Sequence, residues 1–128
     1  MKRYLAVLIA VLAATPLLGH HSLSKEFDSA RAMRITGLIT RVEWINPHVW
    51  IYLDVKDANG KIVPWRVQLA AIGALTRAGF DKKLLDFTSP VTIEGWPAHD
   101  GSFHAAGRLL TLPDGRAFDV ADKWPDAK

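Results

Sequence analysis

Between His48 and Val55 the chain alternates without interruption: Val49, Ile51, Leu53 and Val55 are apolar, and His48, Trp50, Tyr52 and Asp54 interleave them. A two-residue period puts one set on a core and the other on the opposite face of a strand. Asp57-Ala58-Asn59-Gly60 has the composition of a hairpin turn,. Ile62–Leu69 then returns as a further strand, with Val63, Trp65, Val67 and Leu69 expected inward. Pro64 has no backbone N–H, so an edge position is expected there,. Upstream, Ile35–Trp44 predicts the first strand, with Leu38, Thr40, Val42 and Trp44 on one face and Gly37 allowing a sharp bend,. Asn46-Pro47 turns the chain between these two strands,.

Past the third strand the period changes. Ala70–Ala78 is alanine-rich, spaces Ile72 and Leu75 three apart and stops at Gly79, the pattern of a short helix with its C-cap,. Pro90 precedes a fourth strand, Val91–Trp96, and Asp100-Gly101-Ser102 leads into a fifth, Phe103–Leu112. Pro113-Asp114-Gly115 makes a last hairpin to a short segment around Phe118. Three strands, one helix and two strands is the order of the five-stranded Greek-key barrel called the OB-fold. The expectation is an all-β domain with one helix, a small OB-like barrel over residues 31–120. An amino-terminal arm (20–30) precedes it and a polar tail (121–128) follows.

The start of the chain belongs to a different class. Lys2 and Arg3 precede an unbroken apolar run, Leu5–Ala14, and Pro16 and Gly19 follow. This is the layout of a cleaved export signal over residues 1–19, although Leu17 stands where a small residue is preferred. The run is shorter than the roughly 20 apolar residues a membrane span needs. Cleavage after Gly19 would make His20 the first residue of a periplasmic or secreted protein. The excess of basic over acidic side chains, 16 against 13, would narrow to 14 against 13 with Lys2 and Arg3 gone. That near-balance gives no basic stripe for phosphates, so nucleic acid is not an expected partner. Nor is a membrane expected once the signal has left. With no cysteine in the chain, disulfides, thiolate metal sites and a thiol nucleophile are excluded,.

Three stretches carry a resemblance: His20-His21-Ser22, Glu43-Trp44-Ile45-Asn46-Pro47-His48-Val49-Trp50-Ile51, and Thr111-Leu112-Pro113-Asp114-Gly115-Arg116. The chain resembles a family of small exported bacterial proteins of unknown function that looks OB-like. The resemblance covers nearly the whole mature chain, and the W-x-N-P-H-V-W-I block is its most specific part. It departs before the fourth strand, where Phe87-Thr88-Ser89-Pro90 replaces a Gly-Asp turn. The resemblance implies an exported small β-barrel and brings no assigned activity or site.

Two constellations carry candidate chemistry. A chain-terminal His20 would offer its α-amine and imidazole as a chelate, His21 a second imidazole or its backbone nitrogen, and His48 a third ligand from the turn before the second strand. Nitrogen ligation without thiolate suits divalent transition metals, Cu(II) above all. His99 and His104 bracket the turn between the fourth and fifth strands and offer a second pair, or a completion of the first site. The other constellation is aromatic. Trp50 and Tyr52 share the outward face of the second strand, where OB-type barrels take oligosaccharides, so a sugar, peptide or protein partner is the alternative. No G-x-S-x-G elbow or H-E-x-x-H motif occurs,. The expectation is therefore a non-catalytic binding domain.

Overall fold

In the computed structural model, which describes residues 23–123, the alternating segments pair as antiparallel strands in the order the pattern requires. A one-turn helix α1 (Leu23–Glu26) is followed by β1 (Met33–Glu43), β2 (Trp50–Lys56) and β3 (Ile62–Gln68). Helix α2 (Ile72–Arg77) comes next, then β4 (Val91–Pro97), β5 (His104–Thr111) and the short β6 (Ala117–Asp119). The sheet runs β3-β2-β1-β4-β5-β6, and a parallel pairing of β3 with β5 closes the first five strands into a barrel. That closure, with the helix between β3 and β4, is the OB-type arrangement expected from the element order. The polyproline-like demand of Pro64 is met at an open edge: it pairs with Asp54 of β2 on one side, while β5 reaches only Arg66–Gln68 on the other.

β1 is the strand on which closure depends, because its first half pairs with β4 and its second half with β2. The exchange falls at Gly37, opposite both Val55 and Val91. A side chain there would run into the Asp54 carbonyl, so the bend requires glycine. The expected face of this strand needs correction. Between Ile39 and Arg41 the register with β2 slips by one residue at Thr40. A bulge reverses the alternation. Gly37 and Ile39 are therefore buried before it, Val42 and Trp44 pack on the core after it, and Leu38 lies 44% exposed.

The barrel core gathers Ile51, Leu53, Val67, Leu75, Ile93 and Leu110, all essentially without solvent contact. Helix α2 closes one end. Its first free N–H, that of Ile72, donates to Asn46 Oδ1 at 3.0 Å, so the asparagine of the β1–β2 turn caps a helix 26 residues away,. The chain leaves α2 through Gly79, at φ +82, and drops Phe80 into the core. A 3₁₀ turn over Lys82–Leu84 follows, which the sequence pattern did not reveal. Before β4, Asp86 accepts from the Thr88 N–H and from the Thr88 and Ser89 hydroxyls, building the turn that the Phe87–Pro90 stretch makes without glycine.

The arm is docked. Phe27 has no exposed surface and Leu23 very little; with Ala98, Ala106 and the flank of Trp96 they form a second apolar cluster outside the barrel. Full burial of a phenylalanine is worth roughly 1.5–3 kcal/mol. Backbone bonds fix the position: the Asp28 N–H donates to Pro97 O at 2.9 Å and the His99 N–H to Glu26 O at 3.0 Å. Because the arm covers its outer face, β5 is buried on both sides from His104 to Gly107. Trp96 packs against this arm cluster. Trp44 sits with Phe80, ring centroids 6.0 Å apart.

Candidate functional site

The outward face of β2, β3 and β5 is laid out by their registers. Tyr52 pairs with Arg66 and Arg66 with His104 in one row, while Trp50 pairs with Gln68 and Gln68 with Ala106 in the next. Alternation turns these side chains away from the core, and the arm then roofs the β5 side,. His104 sits where strand and arm meet. The Phe27 ring meets it edge-on at 4.8 Å between centroids, and the Trp50 ring lies 5.4 Å from it. Arg66 in turn stacks over Trp50 at 4.6 Å, and Arg41 over Tyr52 at 4.0 Å.

His104 is only 8% exposed. Its burial, reinforced by the nearby positive charge of Arg66, holds the imidazole below its ordinary pKa; Glu26 and Asp100 oppose this without overcoming it. The neutral ring that results is the form that ligates metals. Glu26 Oε1 stands 3.5 Å from Nδ1 and so favours a proton there. Nε2 is shielded from solvent and has no hydrogen-bond partner among the described residues. A buried polar atom without a partner is uncommon and calls for an explanation.

His99 is committed differently. Its Nε2 lies 3.1 Å from the Ser24 carbonyl, which can only accept, so this nitrogen carries the proton and His99 clasps the arm,. His48 is half-buried at the start of the second strand, its Nδ1 3.4 Å from Asp122 Oδ2. That nitrogen too lacks a hydrogen bond among the described residues, so its approach to Asp122 is a loose contact only. His20 and His21 lie outside the described residues. Among the described residues no three His, Asp or Glu side chains gather closely enough to hold a metal ion.

The aromatic constellation is present but already occupied. Trp50 and Tyr52 do share the outward face of β2, yet each ring is covered by an arginine, and Trp50 is flanked by His104 as well. Trp65 is partly buried and meets the Phe103 ring at 5.4 Å. Three members of the site escaped the sequence pattern: Glu26, Phe27 and Arg66. Phe27 alone had a signal, as the one large apolar residue in an otherwise polar arm. Among the described residues no helix is long and apolar enough to cross a membrane.

Fold and face together define a closed OB-type β-barrel whose amino-terminal arm is pinned over a histidine-bearing sheet face. The chain belongs to the family of unknown function DUF6152, whose model matches residues 8–107. A curated relative, the 4-hydroxybutyrate–CoA ligase 2 of Metallosphaera sedula, is 35% identical over 81 residues. That stretch is 62% of this chain but 14% of the ligase, so the chain spans a small part of that enzyme's length. No solved structure matches the chain.

Proposed function

We propose that this is an exported, non-catalytic copper-binding domain, in which signal cleavage makes His20 the first residue and its α-amine and imidazole chelate Cu(II) together with His21 and His48. It serves as a carrier, buffer or sensor component in the periplasm or outside the cell. The observation that supports this reading best is the clamping of the arm directly behind those residues. Leu23 is buried on the barrel, and Ser24 is bonded to His99. His21 stands two residues before Leu23, and a chain spans at most about 3.3–3.6 Å per residue. The segment that carries them is therefore joined to a docked arm and not to a free one. A metal ligand on a tethered segment loses less freedom on binding than one on a free tail.

Nitrogen donors without thiolate or thioether favour Cu(II) among the divalent ions. The α-amine, with an ordinary pKa near about 8, must lose its proton to bind, so affinity rises with pH up to that value. The alternative, a sugar or peptide bound on Trp50 and Tyr52, requires Arg66 and Arg41 to leave the rings they now cover.

Copper titration of protein that begins at His20, against a strong competing chelator, tests the proposal. One bound Cu(II) per chain is expected, lost in His20→Ala and in a chain extended by one glycine before His20, which removes the terminal chelate. Equal affinity in all three proteins would refute it.

A further inference from the structure

We infer that the amino-terminal arm is an acid-released latch: a proton taken up by the His104 imidazole lifts residues 23–27 off β5 while the barrel stays closed. The inference goes beyond the copper reading above and does not depend on it.

The fastening of the arm is separate from the barrel core. Leu23 and Phe27 pack on Ala98, Ala106 and the flank of Trp96, a cluster distinct from the one inside the barrel. Polar contacts add to it: Phe27 bridges to Ala98, the Asp28 N–H donates to Pro97 O, and the His99 N–H donates to Glu26 O. His99 also donates Nε2–H to Ser24 O, a bond that survives protonation of its other nitrogen,. His104 lies under this arm. The arm turns Phe27 and Glu26 towards its ring, β2 brings Trp50, β3 brings Arg66, and the β4–β5 turn brings Asp100. Alongside Ala105 and Ala106, β4 offers Pro97 and Trp96, which carry no charge.

A charge on His104 is poorly accommodated while the arm is down. Nδ1 faces Glu26 at 3.5 Å, whereas Nε2 is shut away from solvent with no partner among the described residues. Unprotonated, Nε2 leaves a lone pair unused; protonated, it becomes a buried charged donor without an acceptor, which is the costlier state. The charged ring would also stand beside Arg66, which already occupies the Trp50 face where a cation can rest,. Glu26 and Asp100 attract the charge, but burial first and Arg66 second outweigh them, so the docked imidazole stays below its ordinary 6.5. Once the arm lifts, water reaches Nε2 and the ring titrates as an exposed histidine. The detached form therefore binds more protons than the docked one, and lowering the pH through 6.5 favours detachment,. A single proton limits the effect to about tenfold in the detached-to-docked ratio per pH unit. Release uncovers Ala98, Ala106 and the flank of Trp96 together with the apolar underside of the arm.

Amide hydrogen exchange at about pH 7.5 and 5.5 tests the latch, each rate divided by the unstructured rate at the same pH so that only protection is compared. In the parent, protection of the Phe27, Asp28 and His99 amides should fall at least about threefold at the lower pH, with about tenfold as the ceiling, while the β1–β2 ladder keeps its protection,. In His104→Phe, which keeps a ring between Phe27 and Trp50 and removes the titrating nitrogens, the fall should vanish. In Glu26→Gln, which removes the carboxylate that steadies the charged ring, it should be at least as large as in the parent. Imidazole titration by NMR gives a second readout: His104 should take up its proton at lower pH in the parent than in Phe27→Ala, where the arm is released. A smaller fall in the parent would overturn the inference, as would a fall shared equally by the ladder or by a folded His104→Phe. Should His104→Phe not fold, the NMR comparison decides, and equal His104 midpoints in the parent and Phe27→Ala would overturn it.

Discussion

Replacing Phe27 by alanine should release the arm without unfolding the barrel. Phe27 is wholly buried, yet the cluster it anchors holds only Leu23, Ala98, Ala106 and the side of Trp96, all outside the barrel core. Large-to-small changes at such sites cost about 3–5 kcal/mol for phenylalanine. The barrel keeps its own cluster around Ile51, Leu53 and Leu110, so this cost falls on the docking of the arm. At about 1.4 kcal/mol per tenfold, it raises the ratio of detached to docked arm by roughly two to three and a half orders of magnitude. Hydrogen exchange followed by mass spectrometry reads this directly. In the parent, the amides of Phe27, Asp28 and His99 are bonded to Leu23, Pro97 and Glu26 carbonyls and should be protected,. In Phe27→Ala those three should exchange at least a hundredfold faster, while amides of the β1–β2 and β2–β3 ladders stay at parental rates. Copper affinity should fall with the docked fraction, since a ligand's apparent affinity scales with the population competent to bind it. Arm amides that already exchange freely in the parent would refute the reasoning, as would a variant in which arm and barrel lose protection together.

Single contacts elsewhere in the barrel carry two more expected outcomes. Asn46→Ala removes the acceptor of the Ile72 N–H and should lower stability by about 0.5–2 kcal/mol, the scale of a lost helix cap; urea denaturation would show a shifted midpoint with unchanged slope,. Acidification should destabilise the parent through His104. The folded ring resists protonation because it is buried beside Arg66, whereas the unfolded chain protonates near the ordinary 6.5. The unfolded state thus binds more protons, and stability falls as pH drops through 6.5 and levels off below the lowered folded value. The loss between pH 7.5 and 5.5, measured by urea midpoints, should be smaller in His104→Phe.

Much of the barrel was legible because β2 obeys a strict period: Val49, Ile51, Leu53 and Val55 are inward as the alternation demands. Legibility failed where a non-local event intervened. The bulge at Thr40 exchanges the two faces of β1, and its cause is the partner strand, which no local pattern contains. The run His104-Ala105-Ala106-Gly107 shows no alternation because the arm covers the face that would otherwise meet water. The site was half legible. The histidines announce themselves by type, and their spacing about a turn suggested the pairing of His99 with His104. Their different commitments, one clasping Ser24 and one with a nitrogen unpartnered among the described residues, depend on where a segment some 75 residues upstream comes to rest. Asn46 is the same lesson in miniature: a turn residue by composition, a helix cap by placement.

In the proposed function, export leaves a histidine-first chain whose terminal nitrogens, with an imidazole of the barrel, hold one copper ion. Native mass spectrometry of protein secreted from cells expressing the full chain, exchanged into copper and freed of excess metal, measures both halves at once. A mass that begins at His20 and carries a single copper is expected. A chain starting at another residue, or one starting at His20 that retains no metal, would contradict it.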